Sequence, residues 1–93
     1  MRRRARTDSN HAAIREALRS AGWTVIDLSR IGDGVPDLLA AKHGRIELVE
    51  VKDGAKPPSA QKLTAAEKRV YDTLIGAGVR VRYVTSVEQA VNL

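Results

Sequence analysis

Residues 34–52 read Gly-Val-Pro-Asp-Leu-Leu-Ala-Ala-Lys-His-Gly-Arg-Ile-Glu-Leu-Val-Glu-Val-Lys, two largely apolar runs broken at His43-Gly44. The runs 37–42 and 45–52 have strand composition, and a two-residue connection containing glycine is the usual link of an antiparallel hairpin. With that turn, Lys42 faces Arg45, Leu39 faces Leu48 and Asp37 faces Glu50. Directly opposed residues hold their Cβ atoms about 4.5–5.5 Å apart, and Lys52 is the diagonal neighbour of Asp37 on the same face at roughly 7–8 Å. Leu38, Val49 and Val51 point to the other face. The register therefore predicts an Asp, a Glu and a Lys converging at one end of an apolar ribbon.

Two carboxylates ~5 Å apart repel by roughly 3 kcal/mol at an effective dielectric of 20, which a purely structural hairpin has no reason to tolerate. A divalent cation removes the repulsion, and paired carboxylate oxygens completed by water and phosphate are how Mg²⁺ is usually held. Such an ion lowers the pKa of a bound water and stabilises charge on a phosphate, while a neighbouring ammonium orients the nucleophile or neutralises that charge. Asp37 and Glu50 are thus candidate metal ligands and Lys52 the electrostatic and positioning group. The competing interpretation is an ordinary ion-pair cluster at a hairpin end.

Outward from the hairpin, the chain alternates helices and strands. Asp8 can cap a first helix with Ile14, Ala17, Leu18 and Ala21 at helical spacing, ended by Gly22. A strand follows at 24–28, then a loop at 29–35. After the hairpin, 53–63 is a loop containing Pro57 and Pro58, and Thr64 with Glu67 forms a capping box opening a helix that runs to about Gly76. Val79, Val81 and Tyr83 alternate as a last strand, and Ser86 with Gln89 reads as a second capping box before a short terminal helix. The connection from the third to the fourth strand is long enough for a parallel crossover, so the sheet is expected to be mixed. The fold class is α/β, order α-β-β-β-α-β-α, in a single domain over 1–93.

Sixteen Lys and Arg against eleven Asp and Glu give a net charge of +5, a balance that favours polyanions. Arg2, Arg3, Arg4 and Arg6 cluster at the start, read either as a flexible solvated tail or as an arm on DNA phosphates. Phe is absent and only Trp23, Tyr71 and Tyr83 are aromatic, too few for a stacking platform, so duplex or branched DNA suits the chain better than single strands. There is no cysteine, which fits a reducing cytoplasm, and neither a membrane span nor a signal peptide is expected.

Pro36-Asp37, twelve intervening residues and Glu50-Val51-Lys52 resemble the PD-(D/E)XK nuclease motif. Taken with Gly34-Val35-Pro36-Asp37-Leu38-Leu39 and with Leu63-Thr64 ahead of the capped helix, the chain from Asp8 to Ala90 is similar to the stand-alone VRR-NUC nucleases of phages and bacteria. The resemblance implies a restriction-endonuclease-like core, phosphodiester hydrolysis dependent on Mg²⁺ or Mn²⁺, and a homodimer like the Holliday junction resolvases. By the same resemblance, the Val51 backbone carbonyl joins Asp37 and Glu50 around the metal; Lys56, with the four arginines, is a candidate DNA contact from the basic charge. Nicking or general duplex cleavage is the alternative reaction, and a catalytically silent DNA-binding module the alternative from another class.

The sequence departs from the family pattern twice. Where many relatives carry a Glu at the site-facing end of helix one, this chain has Asn10, which can hold a metal-bound water; Glu16 points the other way, and His11 reads as a surface residue. Where VRR-NUC members often place a Gln at the start of the helix after the motif, Glu67 or Lys68 stands here, with Gln61 an auxiliary phosphate contact. Glu67 is accounted for by the capping box. Trp23 is expected on a core edge, and Asp33 and Asp53 in turns.

Overall fold

In the computed structural model, which describes residues 10–93, the hairpin has the expected register. Strand β2 (Leu38–Lys42) pairs antiparallel with β3 (Arg45–Val51), Lys42 opposite Arg45 and Leu39 opposite Leu48. His43 and Gly44 have φ of 51° and 80°, the positive values that a type I′ turn requires at both central residues. Strand β1 (Thr24–Asp27) adds antiparallel to β2, and β4 (Val81–Val84) adds parallel to β3, giving the order β1-β2-β3-β4. Parallel neighbours need a long crossover, and here it carries a 3₁₀ turn (Pro58–Ala60) and helix α2 (Ala65–Gly76). Helix α1 (His11–Ser20) precedes the sheet and α3 (Val87–Val91) ends the chain. The mixed sheet and the element order are those expected; the 3₁₀ turn is an addition inside the loop. No helix among the described residues is long and apolar enough to cross a membrane.

The boundaries bring small corrections. Leu28, Asp37 and Lys52 lie just outside their strands, and Val79 precedes β4. Helix α1 has Asn10, not Asp8, at its N-cap, without a side-chain capping bond; Asp8 lies outside the described residues, as do Arg2, Arg3, Arg4 and Arg6. At the other end Gly22 (φ 96°) closes the helix, its N–H donating to Arg19 and that of Trp23 to Leu18, both at 3.0 Å. That pair of bonds is a Schellman motif. Ser86 accepts the Gln89 N–H, but Gln89 Oε1 takes the N–H and hydroxyl of Thr85 and not the N-cap amide, so the second box closes one residue earlier than expected.

Alternation along the strands sorts the sheet into two faces. Leu38, Ala40, Val49, Val51 and Val84 join Ile14, Leu18 and Ala90 in the core beneath α1 and α3. Fully burying each such aliphatic side chain contributes about 1.5–3 kcal/mol, so this layer holds most of the stability. Trp23 sits at its edge, with the Lys42 and Arg45 cations 5.4 and 5.1 Å from the ring centre. Leu39, Leu48, Glu50 and Lys52 point the other way, and at the end of that face Lys52 meets Glu67 of α2.

Candidate active site

The strand ladder ends at Leu38 opposite Val49. One residue further the Asp37 carboxylate takes over from the backbone, its Oδ2 accepting the Val51 N–H at 2.9 Å. Glu50, next to Val51 on β3, is buried with 2% of its surface exposed. Lys52 N–H donates to Val84 at 3.0 Å, which prolongs the β3–β4 pairing and sends the ammonium back to Glu50, 3.6 Å away. The structure thus brings Asp37, Glu50 and Lys52 together at the end of the hairpin.

Helix α2 completes the cluster with a residue that the sequence had explained away. Glu67 does close the capping box, accepting the Thr64 N–H at 2.9 Å while donating its own backbone N–H to the Thr64 hydroxyl at 3.1 Å. The same carboxylate also accepts from Lys52 Nζ at 2.9 and 3.1 Å. One turn later Tyr71 is buried with its hydroxyl beside Glu50. The i, i+4 spacing of Glu67 and Tyr71, aimed at a hairpin end, is the signal that would have found both.

Burial dominates the electrostatics. Burial, then the neighbouring Asp37 charge, push the Glu50 carboxyl up to about 9. Burial also lifts Asp37 above the usual carboxylate range, against the opposing pull of the Val51 N–H and of His11. Burial acts on Glu67 in the same direction, but the Thr64 N–H and the Lys52 ammonium outweigh it and hold Glu67 below its ordinary value. Glu50 and Glu67 therefore share one ammonium, and Glu50, buried beside Asp37, is the carboxyl that holds a proton most strongly.

Two residues at the start of α1 reach the same end of the sheet. Asn10 faces inward as expected, and its amide donates to the carbonyls of Lys52 and Thr85, both at 3.1 Å, tying α1 to the ends of β3 and β4. His11 is not a surface residue: it is 5% exposed, with Nε2 3.9 Å from Asp27 Oδ1. Its spacing to Ile14 and Leu18, three and seven residues on, already puts it on the buried stripe. Asp27 is held below its usual value because the Ser29 hydroxyl and N–H, His11 and Arg15 together outweigh its burial.

The remaining predicted residues lie on loops. The Gln61 amide donates to the carbonyls of Lys56 at 2.6 Å and Gly54 at 3.4 Å, pinning the loop after β3, while Lys56 itself is exposed. Asp53 accepts the Ala55 N–H in a tight turn at 2.9 Å. Asp33 and Gly34 both have positive φ, and a Cβ on Gly34 would stand 2.3 Å from the Ala66 carbonyl oxygen. Only glycine lets this loop lie against α2. Between loop and helix opens a cleft of about 350 Å³ that reaches Asp37 and Glu67.

The donor set fits a divalent cation. Glu50 Oε1 is buried and accepts no hydrogen bond, an expensive state for a polar atom unless something else binds it. Hard carboxylate oxygens are the ligand type that Mg²⁺ and Mn²⁺ take. No cluster of three or more His, Cys, Asp or Glu side chains arranged to hold a metal occurs among the described residues.

The sequence matches no protein-family model and no curated protein. Among solved structures, the chain is similar to one described as a VRR_NUC domain, with a TM-score of 0.65 and 30% identity, over 89% of this chain and 87% of that one.

Proposed function

Because the chain belongs to the VRR-NUC domain family, we propose that it is a nuclease that hydrolyses DNA phosphodiester bonds, with Mg²⁺ or Mn²⁺ held by Asp37 and Glu50. It has the PD-(D/E)XK site type, acts on branched DNA in preference to linear duplex, and works as a homodimer.

The observation that carries this reading is Glu50: a carboxyl with 2% of its surface exposed, an oxygen without a partner, and an affinity for protons raised to about 9 beside a second acid. A protein gains nothing from such an arrangement unless a cation replaces the proton. When bound, the metal supplies positive charge that makes water a better nucleophile and stabilises the phosphate.

The chain's own groups do the rest. Asp37 and Glu50 orient the site, with the Val51 carbonyl at the same strand end as a third oxygen. Glu67, fixed by Thr64, holds Lys52 Nζ in place, and that ammonium orients the attacking water and neutralises charge as water adds to phosphorus. The P–O bond to one nucleotide breaks, leaving a phosphate monoester and a hydroxyl. Lys56 and the arginines at 2, 3, 4 and 6 bind the backbone without reading bases.

Dimerisation is supported by the sheet face that α2 leaves open. Ile26, Leu39 and Leu48 share a row across β1, β2 and β3, and Ile26 and Ile46 are 54% and 67% exposed. Adjoining exposed aliphatics of this kind mark interaction surfaces.

The test is incubation with linear duplex, flap and four-way-junction DNA, each with EDTA, Mg²⁺ or Mn²⁺. Metal-dependent cleavage, fastest on the junction, is expected; equal cleavage of all three would replace junction specificity with general duplex cleavage, and no cleavage under any condition would remove the nuclease reading.

A further inference from the structure

We propose that Tyr71 is a positioning residue for Glu50: its hydroxyl, buried and unpartnered beside that carboxylate, is the donor that would fix the orientation in which Glu50 presents an oxygen to a divalent cation. The inference rests on the metal-dependent reading above and assigns a part of the site to which neither sequence motif nor family resemblance points.

It starts from two orphaned atoms. The Tyr71 hydroxyl is buried without a hydrogen-bond partner, and so is Glu50 Oε1. Buried tyrosines ordinarily satisfy their hydroxyl, and a phenylalanine would fill the same space with no polar atom to satisfy. The Tyr71 hydroxyl is not surrounded by hydrocarbon. It faces Glu50 and senses the charges of Glu67 and Asp37, the three carboxyls of the site.

The placement follows from α2. Glu67 and Tyr71 are four residues apart and lie on one helical face, so the turn that sends Glu67 to Lys52 also sends Tyr71 to Glu50. The two oxygens of Glu50 consequently have different neighbours: Oε2 is 3.6 Å from Lys52 Nζ, whereas Oε1 is without a partner. The terminal torsion of a glutamate is soft, and a carboxylate steadied at one oxygen can still swing. A donor on the other side stops it. With Oε2 turned to Lys52, Oε1 is the acceptor left for the idle hydroxyl to steady. Partners of ligating carboxylates tune metal affinity in this way.

Tyr71→Phe removes one oxygen and conserves the ring, which makes the test clean. Wild type, Tyr71→Phe and Glu50→Gln are melted in EDTA and across a Mn²⁺ titration, and kcat and KM are measured on junction DNA. In EDTA, Tyr71→Phe is expected to melt at or above the wild-type temperature, since an unsatisfied group is gone. In Mn²⁺ it needs about tenfold more metal to reach the same rise in melting temperature, and kcat falls with KM for DNA unchanged. A purely structural tyrosine gives the reverse, a loss of stability in EDTA with an unaltered metal response. If wild type responds to Mn²⁺, Glu50→Gln does not, and Tyr71→Phe matches wild type in metal response and kcat, the Tyr71 role is overturned and the metal site stands. If wild type itself shows no response to Mn²⁺ or Mg²⁺, the metal-dependent reading falls and takes this role with it.

Discussion

At neutral pH the fold binds a proton at Glu50 that the unfolded chain does not, because burial and Asp37 push that carboxyl up to about 9 from an ordinary value of 4.5. Between those two values unfolding releases the proton, so Glu50 favours the fold fully only below the lower one, and its contribution is lost as pH rises through the window. In EDTA, the melting temperature of Glu50→Gln should therefore overtake wild type increasingly from pH 5 to pH 9; parallel curves would mean that Glu50 is not held protonated. Asn10 allows a second test at this scale. With its amide clamped on the Lys52 and Thr85 carbonyls, Asn10→Asp replaces two donors by a charge facing two acceptors, so stability and cleavage should both drop. A gain in metal affinity with cleavage retained would instead make residue 10 part of the metal shell. Asp37, Glu50 and Lys52 were legible in the sequence because a two-residue turn fixes hairpin register by counting. Glu67 and Tyr71 were harder to find, because their i, i+4 spacing puts them on one helix face without saying where that helix docks, and because a complete capping box already explained Glu67.

Helix α2 does two jobs with one residue. Glu67 both satisfies the helix start and holds Lys52, so Thr64→Ala should lower stability by about 0.5–2 kcal/mol, the usual cost of losing an N-cap, and should lower kcat as well, since the box steadies the Glu67 carboxylate. Chemical denaturation and turnover on the same protein measure both; an unchanged kcat would separate capping from the site. Gly34 belongs to the same contact. Its positive φ and the Ala66 carbonyl oxygen, 2.3 Å from where a Cβ would stand, make Gly34→Ala strongly destabilising, and thermal melting within a few degrees of wild type would contradict the close approach. Most elements were readable from punctuation in the chain: Gly22, His43-Gly44, Thr64 with Glu67, and Ser86. The start of α1 was misread because Asn10, which occupies the N-cap, directs its side chain to the strands, and the buried His11 looked like a polar helix start.

Across the whole molecule, one face of the sheet is closed by α1 and α3 over Leu38, Val49 and Val51, while the other carries the site and a strip of exposed aliphatics. Leu38→Ala should cost about 2–5 kcal/mol, a large share of the ~5–15 kcal/mol that domains possess, without touching the acids on the opposite face. Ile46→Glu, on the open face, should leave the monomer folded and shift light scattering from dimer to monomer; a wild type that scatters as a monomer at every concentration would remove the symmetric two-cut scheme. Mixed-sheet topology was legible from element order and loop length, but how far α2 covers its face was not, because that depends on packing between distant segments. The central claim is that Asp37 and Glu50 exist to hold a metal for cleavage. Its most direct measurement is single-turnover cleavage of junction DNA in Mg²⁺ by wild type, Asp37→Asn and Glu50→Gln, alongside DNA affinity for each. Cleavage by wild type only is expected, with affinity unchanged or tighter in both variants. Wild-type rates in both variants would contradict it.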